Sequence, residues 1–66
     1  MDPRFASAAK DAFAQLQRII QITRVEFYHA VNECIRAKEL LPTTPKADLV
    51  KQMMEIAFRW CAGTNF

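Results

Sequence analysis

Residues 3–41 read PRFASAAKDAFAQLQRIIQITRVEFYHAVNECIRAKELL, and the spacing of their apolar residues decides the fold. After Pro3 the stretch has no proline, and it has no glycine at all. Nothing in it therefore punctuates a helix. Alternate steps of three and four residues from Ala6 pick out Ala6, Ala9, Phe13, Leu16, Ile20, Thr23, Phe27, Ala30, Cys34, Ala37 and Leu41. Ten of these eleven are apolar. Such spacing is the seam of a coiled coil, on which a helix offers one face to a partner helix. Large residues (Phe13, Ile20, Phe27, Leu41) mostly alternate with small ones (Ala9, Thr23, Ala30, Ala37), which permits close approach. Arg4, Asp11, Arg18, His29, Glu33 and Arg36 fall on the opposite, solvated face.

The boundaries follow from the breakers. Asp2 can cap a helix that has Pro3 at its first position. Pro42 biases Leu41 away from helical geometry and ends that helix. Thr44 with Pro45 repeats the start signal, and Gly63 supplies a left-handed stop. The sequence thus predicts an all-α hairpin in a single domain, 1–66, with helix one over 3–41 and helix two over 45–62. The pattern does not decide whether helix one is continuous or breaks near residues 21–24. On helix two, Leu49, Met53, Ile56 and Trp60 form the apolar stripe, flanked by Val50 and Ala57.

The two arms differ in length. At about 1.5 Å per residue, helix one spans roughly 58 Å and helix two roughly 27 Å. Antiparallel pairing sets Trp60 across Phe27 and Ala30, and helix two runs out near Arg24. The seam beyond it is left bare. Ala6, Ala9, Phe13, Leu16, Ile20 and Thr23, with Ile19 beside them, are the candidate partner-binding residues. Each Leu, Ile or Phe left in water forfeits about 1.5–3 kcal/mol. A 66-residue chain is marginal alone and needs a staple. Its two cysteines and one histidine are too few for a disulfide framework or a structural zinc site. Oligomerisation, as a homodimer or larger bundle, or docking on another helical protein, is the staple expected.

Chemistry is sparsely signalled. His29 is the only histidine and lies among charged residues, with no nucleophile or second catalytic group at helical spacing. Cys34 sits on the seam as a small hydrophobe, and Cys61 lies about 13 Å from it along the hairpin axis, beyond disulfide reach. No enzyme activity, cofactor or metal is expected. Nine basic residues against seven acidic ones, interspersed, imply no polyanionic partner by themselves. Pro42-Thr43-Thr44-Pro45 fits P-x-x-P, but stop and start signals explain both prolines. There is no signal-peptide core and no apolar run of membrane-spanning length, so a cytoplasmic or organelle-matrix location is expected. The function expected is a small adaptor, assembly subunit or chaperone-like protein acting by helix–helix interaction. The alternative is a small dimeric nucleic-acid-binding regulator, whose binding would weaken steeply with salt.

Overall fold

A computed structural model describes residues 2–64. They form three helices, α1 (Pro3–Leu16), α2 (Arg24–Arg36) and α3 (Lys46–Thr64). The chain is all-helical, as its periodicity predicts, but it is not a two-helix hairpin. The long first arm is broken in two. A continuous helix over 3–41 would also exceed the longest dimension of the molecule, 33 Å.

The break has a local cause. Four β-branched residues, Ile19, Ile20, Ile22 and Thr23, crowd into five positions, and such side chains lose rotamer freedom in a helix. After Leu16 the ladder tightens: the N–H groups of Ile19 and Ile20 both donate to the Leu16 carbonyl at 2.9 Å. Thr23 then turns extended, φ −79° and ψ 155°. Its Oγ1 accepts a 3.1 Å hydrogen bond from the Glu26 N–H, capping α2. The start of α1 is as the sequence predicts. Asp2 Oδ1 accepts from the Arg4 N–H at 2.8 Å, with Pro3 in the first turn.

At the far end of α2, Lys38 adopts φ 61°. The Glu39 N–H donates back to the Cys34 carbonyl at 2.9 Å, and the Lys38 N–H to Ile35 at 3.0 Å. This is the Schellman closure, made here without glycine. It carries Leu40 into the core, 3% exposed, and leaves Leu41 55% exposed. The seam expectation had these two leucines the other way round. Gly63 is likewise no stop, since α3 runs through it to Thr64. The first bond of α3 joins the Leu49 N–H to the Pro45 carbonyl at 3.0 Å, so the helix starts one residue later than predicted.

With two reversals, α3 runs alongside α1 in the same direction. Arg4 Nη1 donates to the Pro42 carbonyl at 3.0 Å, and Lys46 pairs with Asp11 at 2.9 Å. Further along, Asp11 and Gln15 share a groove with Val50 and Met54. The core joins Phe5, Ala8, Ala9, Ala12, Phe13 and Leu16 of α1 to Phe27, Ala30 and Val31 of α2 and to Leu49, Met53, Ile56 and Ala57 of α3. The small alanines let α3 settle close on α1. Phe13 meets the Phe27 ring at 5.4 Å, and Tyr28 stands edge-on to Phe27 at 5.5 Å, favourable aromatic geometry. The radius of gyration, 10.9 Å, is that of a compact chain of this length, about 11 Å.

Candidate functional site

The chain's own third helix takes up much of the predicted binding seam. Ala9, Phe13 and Leu16 are buried, at most 6% exposed. Ile20 is half-buried against the core, and Thr23 is spent as the α2 cap. Ala6 is exposed on α1. Of the large candidate partner-binding residues only Ile19, 61% exposed, is fully presented to solvent. The seam is covered because the break at 17–23 lets the chain fold back.

What remains outside is a different apolar set. Ile19, Ile20, Ile22 and Val25 lie within seven residues around the α1–α2 connection, and none is buried. Among the described residues Val25 is the most open large hydrophobe, 79% exposed, in the first turn of α2. Phe58, 41% exposed, lies in the second half of α3. Because α1 and α3 run the same way, that half of α3 shares an end of the bundle with the connection. Sequence reading missed Val25, since the seam passes through Thr23 and Phe27 and leaves Val25 aside. The signal that could have found it is the Thr23-x-x-Glu26 spacing, which marks a helix start and so resets the register.

Cys34 lines a cleft of about 260 Å³ with Ala30, Glu33, Glu39, Ile56, Arg59 and Trp60. Burial raises its thiol, and a hydrogen bond to the Glu39 side chain adds to this. Together with the Glu39 and Glu33 charges, and against the opposing pull of Arg59, they push the thiol up to about 11. A thiol so held is protonated at neutral pH and a poor nucleophile. His29 is exposed, with its ring edge-on to Trp60 at 5.3 Å. Trp60 is half-buried against the core and lines the Cys34 cleft together with Ala30. Cys34 and Cys61 form no disulfide. Among the described residues, no cluster of His, Cys, Asp and Glu is suited to a metal ion.

Four cationic side chains are engaged within the chain: Arg4 on Pro42, Arg36 on Glu33, Lys46 on Asp11, and Arg24 above the Phe13 ring at 5.6 Å. Lys10 and Arg24 meet at one groove between α1 and α2. Among the described residues, no helix is long and apolar enough to cross a membrane. No protein-family model matches the chain, and neither does any curated protein or solved structure.

Proposed function

We propose that this protein is a small helical adaptor or assembly subunit that binds an apolar helix of another protein. Its contact surface is the α1–α2 connection, with Ile19, Ile20, Ile22 and Val25 as the side chains that meet the partner. The observation that carries this reading is the concentration of β-branched apolar side chains, two of them more than 60% exposed, on one short connection. Covering a single Ile or Val of this kind is worth about 1.5–3 kcal/mol. Contiguous exposed apolar area on a small domain marks an interaction site. The half-buried Ile20 and Ile22 anchor the connection to the core, so the surface is presented in a fixed shape and loses little freedom on binding. Ile19 replaces the wider Ala6–Thr23 seam as the centre of the expected contact.

The test uses a photo-reactive residue in place of Val25, and a control in place of Lys51 on exposed α3. Cross-linking in the native extract is expected at position 25 and not at 51. The captured partner, purified, is expected to bind the wild-type protein. Binding should weaken at least tenfold for the Ile19→Asp, Val25→Asp double variant, which changes only exposed side chains. Equal binding by wild type and double variant sinks the proposal.

A further inference from the structure

The groove between α1 and α2 is walled by Lys10, Phe13, Ala14 and Gln17 on one side and by Arg24 and Tyr28 on the other, and it encloses about 270 Å³. Its charged groups are of one sign. The Lys10 ammonium and Arg24 guanidinium donate hydrogen bonds and accept none, while the Tyr28 hydroxyl and Gln17 amide can also donate. No carboxylate among the described residues lines it. Among the described residues, the ion pairs are Arg36–Glu33 and Lys46–Asp11, so neither Lys10 nor Arg24 has an acidic partner within 4 Å. The side chains of Tyr28 and Gln17 enter none of the hydrogen bonds among the described residues. Arg24 is nonetheless held in place, its guanidinium carbon 5.6 Å from the centre of the Phe13 ring.

Three other clefts lack this character. Beside the start of α3, Arg4 is spent on the Pro42 carbonyl and Lys46 on Asp11. Near Trp60, Arg59 faces Glu33 and Glu39. Under the α1–α2 connection the charged lining residue is Glu26.

We infer that the Lys10–Arg24 groove binds a small arene carrying a phosphate or carboxylate. The anionic head sits between Lys10 and Arg24, whose planar fork suits two oxygens of one head group. The ring lies along Ala14 and the edges of Phe13 and Tyr28. Size limits the ligand. The groove is just under the roughly 300 Å³ at which ordinary ligand pockets begin. One ring and one head group match that size. The inference is independent of the adaptor reading, since Ile19, Ile20, Ile22 and Val25 line no part of this groove.

The experiment is an amide ¹H–¹⁵N titration of the full chain with phenyl phosphate, phenylacetate, inorganic phosphate and benzyl alcohol. Saturable shifts are expected at residues 10–17 and 24–28 with one or both aryl anions, and the tighter of the two identifies the head group. Lys10→Gln and Arg24→Gln are each expected to weaken binding at least tenfold while distant resonances stay in place. Ile19→Asp should leave it unchanged. Added salt should weaken it, as for any ion contact near a surface. The inference is overturned if neither aryl anion saturates, if benzyl alcohol or inorganic phosphate binds as tightly, or if both variants bind as wild type does.

Discussion

Lys38 is the one non-glycine residue with positive φ among those described, and it occupies the position where helix-ending motifs ordinarily use glycine. A Cβ in the left-handed region costs about 1–2 kcal/mol. The cost is offset by the carbonyls closed through Lys38 and Glu39 and by the burial of Leu40 that the turn permits. Lys38→Gly is therefore expected to raise the stability by about 1 kcal/mol, read as an upward shift of the thermal midpoint. An unchanged or lower midpoint would mean the turn is not strained. Just before this turn lies Cys34, its thiol pushed up to about 11. In a Cys61→Ser background, Cys34 is expected to react with iodoacetamide at pH 8 roughly a hundred times more slowly than a thiol titrating at 9.0. The same shift makes a prediction about stability. The native state holds this proton to higher pH than the unfolded chain does, so the Cys34 contribution is constant below pH 9 and declines as pH rises from 9 towards 11. Subtracting the pH profile of Cys34→Ala from that of wild type isolates it.

At the scale of the helices, the Thr23 cap separates α1 from α2. Thr23→Ala removes the acceptor for the Glu26 N–H and is expected to cost about 1 kcal/mol, seen as a lower urea midpoint at unchanged slope. A variant as stable as wild type would show that the β-branched run alone makes the break. The all-α class, the Asp2 cap and the Leu49–Met53–Ile56 stripe of α3 are all legible from breakers and periodicity. The break is less so, because the capping spacing at Thr23 and Glu26 is masked by a heptad count that passes through Thr23 without interruption. Alanine is the other reason. The buried set of α1, Phe5, Ala8, Ala9, Ala12, Phe13 and Leu16, is the broad stripe of a globular helix. A helix so rich in alanine fits a narrow seam begun at Ala6 nearly as well. Once α2 starts afresh, Val31 joins Phe27 and Ala30 inside, and the count that favoured Leu41 over Leu40 no longer applies. The proposed interaction surface is half legible: Ile19 and Ile20 belong to the expected set, whereas Val25 depends on where α2 begins.

For the molecule as a whole, the accessible surface is 4669 Å², close to the roughly 4,300 Å² expected of a folded monomer of 7.6 kDa. The chain closes a core within itself, and the bare seam that called for oligomerisation is largely covered. The contact of α1 with α3 is the most extensive between helices, and that with its sequence neighbour α2 the least. A fragment of residues 1–41 is accordingly expected to show little helix by circular dichroism, since helices of 13 or 14 residues are marginal in water without tertiary packing. Addition of a 42–66 peptide is expected to restore the helical signal, and a fragment already helical alone would contradict this. The same pairing bears on the speed of folding. The principal partner of α1 is separated from it by all of α2 and both connections, so the loop must close before its contacts repay the entropy. Met53→Ala, in the buried face of α3, should then slow refolding, while Val31→Ala in α2 should chiefly hasten unfolding. The expected rate-setting encounter is then between the first helix and the last, with α2 completing its packing after the barrier.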